Sequence, residues 1–178
     1  MAVFLDADYQ GPCTPEIQGL VITVRLPAKE LENLLLLQPG AIAARVRNAL
    51  EQRLQRTISG GEGPTEEKVA NLIDEATRQS EFTHRVRYNW VANHLPDRKP
   101  DAGDLQKLDG EFSALWSNSE FRRRYCPGKD VLKHVKKSLQ DRHQVSFPTE
   151  SVFAFCDPDS QTRDLFDKIE QHVMEALK

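Results

Sequence analysis

The sequence predicts a helix-rich α+β domain, with a small sheet of about three strands covered by five to six helices. Apolar runs rich in β-branched or aromatic residues stand near both ends of the chain, two N-terminal and one near the C-terminus. Between them, apolar residues recur at helical spacing. The 178 residues are long enough for a substantial core, so a single domain, 1–178, is expected. The alternative is a subdivision at the loop of residues 96–103, LPDRKPDAG being the strongest loop signal.

Three segments carry the strand signal. Residues 2–9 open with Val3, Phe4 and Leu5 and predict the first strand. Residues 20–26, LVITVRL, are largely apolar on both faces, which predicts a central or well-covered strand. Residues 151–156, SVFAFC, predict a third strand, which we expect to pack beside the other two.

Helices are predicted at residues 28–37, 41–58, 66–94, 104–116, 120–125 and 129–140. The 66–94 segment has a polar middle and reads as one long helix or as two with a bend. Thr65 and Asp104 stand where N-caps belong. A last helix is predicted from Asp159 or Ser160 to about residue 177, because its apolar residues keep a 3.6-residue period.

The composition places limits on the class of protein. Apolar residues make up 39% and charged residues 29% of the chain, which is typical of a soluble globular protein. No apolar run approaches the roughly 18 residues of a membrane span, and the acidic start, MAVFLDADYQ, is unlike a secretory signal. The three cysteines are far apart and odd in number, which favours a reducing compartment. We therefore expect a cytoplasmic protein, with no membrane association and no cofactor.

The clearest asymmetry of the chain is the basic stretch at residues 117–143. It holds eight cations and three anions and so carries a net charge of +5, whereas the whole chain carries −3 and the remainder therefore −8. Such a segment on an acidic protein indicates a surface that meets an anionic partner. The predicted binding residues are Arg122, Arg123, Arg124, Lys129, Lys133, Lys136, Lys137 and Arg142.

From this stretch we predict a binding or adaptor protein, and lean towards one without enzymatic activity. It would present a basic helical face, residues 122–142, to RNA, DNA or an acidic protein surface, and could form a hetero-oligomer. Trp116, Phe121 and Tyr125 stand near enough in sequence to offer stacking faces to bases, although such aromatics are more often core residues. A third interpretation is a structural subunit of a larger assembly, because residues 31–37 hold five leucines, more than one helix face needs.

A catalytic alternative rests on Arg87 and His94, seven residues apart and so on one face of a helix. The segment RYNWVANH resembles the Arg–(four to six residues)–His motif of the HEPN ribonucleases. The resemblance covers eight residues and implies a dimer in which His94 and Arg87 act on the RNA 2′-hydroxyl and phosphate. Tyr88 follows the arginine where that family tends to place a polar residue. The structural interpretation is an exposed arginine and a histidine that stabilises the end of a helix.

Two pairs of carboxylates offer a metal-dependent alternative. Asp6 and Asp8 follow the first predicted strand, and Asp157 and Asp159 follow the last. If those strands are neighbours, the four side chains converge and can bind Mg²⁺ or Mn²⁺. The segment VFLDAD resembles the first motif of the haloacid-dehalogenase phosphatases, but Tyr-Gln follows it instead of Gly-Thr or Gly-Val. The structural interpretation is a strand end and an ordinary turn with a helix cap.

A nucleophilic cysteine is the remaining catalytic candidate. Cys126 follows three arginines and a tyrosine, and nearby positive charge would lower the pKa of its thiol. The structural interpretation is an inert, buried cysteine.

Overall fold

A computed structural model of the chain describes residues 2–5, 16–18, 21–25 and 28–157, together with Arg163, Asp167, Gln171 and Met174. Three short strands stand at its beginning: β1 (Ala2–Leu5), β2 (Glu16–Gln18) and β3 (Val21–Arg25). They pair in the order β1-β3-β2, with β1 parallel and β2 antiparallel to β3. Ala2 lies opposite Ile22 and Leu5 opposite Arg25, and Ile17 also lies opposite Ile22.

Residues 28–157 form a helical body of seven α-helices and one 3-10 helix, the latter at Thr149–Phe155. The α-helices are α1 (Leu31–Leu36), α2 (Pro39–Leu54), α3 (Glu66–Thr77), α4 (Ser80–His94), α5 (Ala102–Ser117), α6 (Ser119–Tyr125) and α7 (Gly128–His143).

The prediction of an α+β domain with helices covering a three-stranded sheet is wrong. No strand occurs between residues 28 and 157, and the three N-terminal strands make their main contacts with one another. The segment predicted as a C-terminal strand, residues 151–156, lies largely in the 3-10 helix Thr149–Phe155. An apolar run this short does not distinguish a strand from a helical turn. The hydroxyl of Ser151 donates to the carbonyl of Pro148 at 2.7 Å, which closes the first turn.

The core of the body lies where α2, α3 and α7 pack together, with α1 and α6 against α7 and α4 against α5. The five longer helices, α2, α3, α4, α5 and α7, each bury one apolar face, as the sequence period predicts. Burying each large side chain stabilises the fold by roughly 1.5–3 kcal/mol. The largest fully buried side chains are Phe112, Leu35, Leu36, Ile42, Ile73, Leu132, Leu139, Val46, Val69, Val86 and Val131.

The predicted helix boundaries are mostly within a few residues of the observed ones. The 66–94 segment is two helices, α3 and α4, that meet at residues 78–79. Thr65 caps α3 as predicted, accepting a hydrogen bond from the amide of Lys68 at 3.3 Å. Asp101, and not Asp104, is the N-cap of α5, and Asp104 completes the capping box. The predicted last helix, from residue 159 or 160 onward, lies mostly outside the described residues.

The 95–101 loop, where a division into two domains was the alternative, joins α4 to α5, and these two helices pack against each other. None of the helices that the structure describes is both long and apolar enough to cross a membrane.

Candidate binding surface

The structure divides the basic stretch of residues 117–143 into two parts. Three arginines, Arg122 to Arg124, belong to α6, a short helix that packs against α3 and α5. The four lysines and Arg142 belong to α7. Asn118 starts α6 by accepting hydrogen bonds from the amides of Glu120 and Phe121. The turn at Cys126-Pro127 then redirects the chain into α7. The two parts therefore face different neighbours, although they adjoin in sequence.

Arg122 is buried, with a relative exposure of 2%. Its Nη1 donates to the carbonyls of Trp116 and Ser117, each at 2.8 Å, which are acceptors left open at the end of α5. Its Nε donates to the hydroxyl of Thr77 at 3.3 Å. Burial lowers the pKa of this guanidinium, and the neighbouring charge of Arg78 lowers it further. Arg122 thus holds three helices together and is not exposed to a partner.

Arg123 and Arg124 are also engaged within the fold. Arg123 Nε lies 3.1 Å from Asp74 Oδ1 on α3, and the Arg123 side chain is only 16% exposed. Arg124 Nη2 lies 2.9 Å from Glu120 Oε1, one turn earlier on the same helix. Asp74 also lies 3.9 Å from Arg122 Nη2, so one carboxylate faces two arginines.

Three lysines of α7 form an exposed row, which we name the lysine stripe: Lys129, Lys133 and Lys137. They are spaced four residues apart, so each lies about 6 Å along the axis and about 40° around the helix from the previous one. The opposite face of α7 is buried by Val131, Leu132, Val135 and Leu139. No ion pair among the described residues involves a lysine of the stripe.

The other two predicted cations of α7 lie outside the stripe. Lys136 is half-buried, with Nζ donating to the hydroxyl of Thr149 at 3.0 Å and lying 5.3 Å from the centre of the Phe147 ring. This contact ties α7 to the segment that follows it. Arg142 is exposed, but it lies about 140° around the helix from Lys137, so the two point in different directions.

The carboxylates near the lysine stripe are partly neutralised. Asp130 Oδ2 accepts a hydrogen bond from Arg85 Nη2 at 2.6 Å, which offsets its charge. Glu30 Oε2 accepts from the backbone amide of Lys129 at 2.9 Å and so lies at the N-terminal end of the stripe. Asp141 is exposed at the other end. The positive charge is therefore best developed at Lys133 and Lys137, with the exposed Asp141 one turn beyond Lys137.

The aromatic residues near the basic stretch pack against one another: Trp116 is buried, and Phe121 and Tyr125 are half-buried. Trp116 is 9% exposed, its indole Nε1 donates to the hydroxyl of Thr83, and its ring stacks on Phe112 with centroids 5.3 Å apart. Phe121 meets Trp116 edge-on and lies 4.6 Å from the Tyr125 ring. These side chains form the contact between α5 and α6 and do not accompany the lysine stripe.

Arg87 and His94 both lie on α4, as the spacing predicts, but each has a local partner. Arg87 Nε lies 2.5 Å from Asp109 Oδ1 on α5. The His94 ring stacks on Trp90 at 4.2 Å, and its Nδ1 lies 2.7 Å from the Trp90 carbonyl. Since a carbonyl only accepts, Nδ1 carries a proton and Nε2 faces outward. The arrangement is the non-catalytic one: an exposed arginine, and a histidine that interacts with a carbonyl near the end of its helix.

The structure removes one premise of the metal-dependent alternative, namely that each pair of carboxylates follows a strand. The stretch before Asp157 is not a strand, so two neighbouring strands do not bring the carboxylates together. The Asp157 side chain is 86% exposed and forms an ion pair with Arg163, while Asp6, Asp8 and Asp159 lie outside the described residues. Within the part of the chain that is described, no three His, Cys, Asp or Glu side chains are grouped to hold a metal.

Of the two interpretations of Cys126, the structure favours the inert, buried cysteine over the activated nucleophile. The thiol is fully buried, and burial raises its pKa to about 12, so it is a poor nucleophile at neutral pH. Its actual neighbour is Asn33, whose Nδ2 donates to the Cys126 carbonyl at 3.0 Å and lies 3.4 Å from Sγ.

The leucine-rich helix α1 is mostly covered by the fold. Leu35 and Leu36 are fully buried, whereas Leu31 is 50% exposed. The interpretation as a structural subunit stays a prediction, with one exposed leucine in its favour.

Sequence reasoning missed the residues that decide which cations are exposed. Asn33, Asp74 and Thr77 lie 45 or more positions before the α6 residues they contact. No local spacing signals these pairs. Comparison of the chain with protein-family models, curated proteins and solved structures finds no match.

Proposed function

We propose that this protein is a non-enzymatic binding or adaptor protein that docks the lysine stripe of α7 onto an acidic protein surface. The observation that carries the proposal is the row of exposed lysines, four residues apart, opposite a fully buried face of the same helix. Because α7 is anchored by its apolar side, the row is held at a defined spacing, which favours complementary charges at matching positions.

An acidic protein is favoured over nucleic acid for two reasons. The aromatic side chains near the basic stretch are occupied in the contact between α5 and α6, which removes the stacking that single-strand binding uses. The three arginines of α6 are engaged with the fold, so bidentate phosphate contacts from them are lost. The remaining lysines act as point charges, which can pair with surface carboxylates.

The setting proposed for this function is the cytoplasm. Two of the three cysteines are described, and both Cys126 and Cys156 carry free thiols, which fits a reducing compartment. The apolar contribution to docking would be modest, so the complex would be salt-sensitive and transient.

The test is a comparative pull-down with quantitative mass spectrometry. The double variant Lys133→Glu/Lys137→Glu reverses the charge of two of the three lysines of the stripe. The matched control Lys99→Glu/Lys107→Glu makes the same charge change at two other exposed lysines. We expect a defined set of acidic proteins to bind the wild type and the control but not the stripe variant. These proteins should dissociate between about 50 and 200 mM salt, because salt screens surface charge pairs.

Nucleic acid is tested in parallel by fluorescence anisotropy with labelled single- and double-stranded RNA and DNA. Tight, salt-dependent binding that the stripe variant abolishes would make nucleic acid the partner and would contradict the preference for protein. Equal protein capture by the stripe variant and the wild type would overturn the assignment of the stripe.

A further inference from the structure

An open cleft is lined by residues of α4, α5 and α6 and by Arg78 at the end of α3, and no residue of α7 lines it. Its volume is about 560 Å³, within the range of small-molecule sites. One wall is apolar and aromatic, from Phe112 and Trp116. The remaining lining is polar and includes three arginines but a single carboxylate: Arg78, Arg87, Arg122 and Asp109.

The arginines of this cleft are not all neutralised. Arg78 is exposed and takes part in none of the ion pairs or side-chain hydrogen bonds described. Arg87 uses its Nε towards Asp109, and its side chain is 48% exposed and lines the cleft. Arg122 lies behind the wall, buried, with its Nη2 lacking a hydrogen-bond partner in the described structure.

The charges around the cleft leave an excess of two positive units. Arg87 is balanced by Asp109, and Asp74 lies nearer to Arg123, at 3.1 Å, than to Arg122, at 3.9 Å. Of the arginines that line the cleft, Arg78 and Arg122 therefore remain. Burial lowers the pKa of Arg122, and the nearby charge of Arg78 lowers it further, so the two like charges lie close enough to repel each other.

The hydroxyls of the cleft do not compete for an anion as donors. Thr83, Ser113 and Ser117 each donate to a backbone carbonyl of the preceding turn, at 3.2, 2.8 and 2.6 Å. The donors that face the cleft are therefore guanidinium groups, whose planar forks match the oxygens of a phosphate.

We propose that this cleft is a binding site for a small phosphomonoester, with the phosphate dianion between Arg78 and Arg87 and the organic part against the small part of Trp116 that stays exposed. The dianion matches the two unbalanced charges, and Arg122 contributes at longer range from behind the wall. Asp109 holds Arg87 in place but opposes the anion.

The test is isothermal titration calorimetry at constant ionic strength with four probes: inorganic phosphate, glucose 6-phosphate, adenosine monophosphate and acetate. We expect saturable binding of the phosphates, tighter for at least one ester than for inorganic phosphate because its organic part covers the aromatic wall, and no saturation with acetate. Absence of saturation with every phosphate probe would overturn the proposal, and esters no tighter than inorganic phosphate would overturn the role of the wall.

Variants locate the site. Arg78→Gln removes an exposed side chain without described partners, so the fold is kept, and it should weaken phosphate binding at least about tenfold, which corresponds to one charge-assisted contact. Arg142→Gln, the same change at an exposed arginine of α7, should leave the affinity unchanged. Asp109→Asn should tighten binding, because it removes the opposing charge and frees Arg87. Phosphate binding that Arg78→Gln leaves unaltered would place the anion elsewhere and reject this cleft.

Discussion

Asn33 of α1 and Gly128 at the start of α7 touch so closely that the glycine has no room for a side chain. A Cβ built on Gly128 would lie 2.6 Å from Asn33 Oδ1 and 3.0 Å from the Asn33 backbone nitrogen. The Asn33 amide meanwhile donates from Nδ2 to the carbonyls of Arg123 and Cys126, at 2.7 and 3.0 Å. This buried contact joins α1 to the corner between α6 and α7 and sets where the lysine stripe begins.

We therefore expect Gly128→Ala to lower the free energy of unfolding by about 2–3 kcal/mol, because the new methyl group displaces Asn33 from its acceptors. Gly110→Ala is the matched control: Gly110 is exposed inside α5 and a Cβ there meets nothing within 4 Å. It should stabilise the protein by about 0.5–1 kcal/mol through helix propensity. Urea unfolding followed by circular dichroism measures both, and equal stabilities would contradict the close contact.

Arg122 belongs to the basic stretch, but we expect it to stabilise the fold and not to bind a partner. Arg122→Gln should lower the free energy of unfolding by about 3 kcal/mol, because the carbonyls of Trp116 and Ser117 lose a buried charged donor. Arg122→Lys should not restore it, since one ammonium cannot also reach Thr77. Urea unfolding is the measurement. Arg142→Gln serves as the exposed control and should change stability by less than about 0.5 kcal/mol.

Substitutions in the lysine stripe, unlike those at Arg122, should have little effect on the stability of the fold. We expect Lys133→Glu/Lys137→Glu to leave the thermal midpoint within a few degrees of the wild type, because exposed charges contribute little to stability. Differential scanning calorimetry is the measurement. A large drop in the midpoint would mean that these lysines have structural partners, and lost binding could then not be attributed to the surface.

Cys126 should make stability fall at alkaline pH. Its pKa is raised from about 9 in the unfolded chain to about 12 in the fold by burial. The folded state therefore keeps its proton longer, so the stabilisation is complete below pH 9 and is lost as pH rises towards 12, at up to about 1.4 kcal/mol per pH unit. Urea unfolding at a series of pH values should show a shallower decline for Cys126→Ala than for the wild type. If the free energy of unfolding fell equally steeply with pH in the wild type and in Cys126→Ala, the burial of the thiol would be contradicted.

The adaptor proposal also predicts that RNA remains intact when incubated with the protein. Arg87 faces Asp109, while His94 stacks on Trp90 and does not line the cleft that Arg87 lines. Gel analysis of labelled RNA is the measurement. Cleavage that His94→Ala abolishes would favour the HEPN-like alternative, whereas cleavage that persists in this variant would indicate a contaminating nuclease.

Much of the helical part of the fold was predictable because its signals are local. The 3.6-residue periods of α2, α3, α5 and α7 mark their buried faces, and the cap at Thr65 is a neighbour effect within one turn. The polar residues in the middle of the 66–94 segment indicated the break between α3 and α4 as one of two alternatives. The 3-10 helix Thr149–Phe155 was not predictable in this way, because its short apolar run fits a strand equally well.

The sequence by itself determined the helix periods, the cap at Thr65 and the excess of cations at residues 117–143. Tertiary structure decided which of those cations remain exposed. Arg122 and Arg123 meet Thr77 and Asp74, residues 45 and 49 positions earlier in the chain, whereas Lys133 and Lys137 meet solvent. The physical reason is that helix formation depends on neighbours within a turn, while burial of a charge depends on acceptors that only folding brings near.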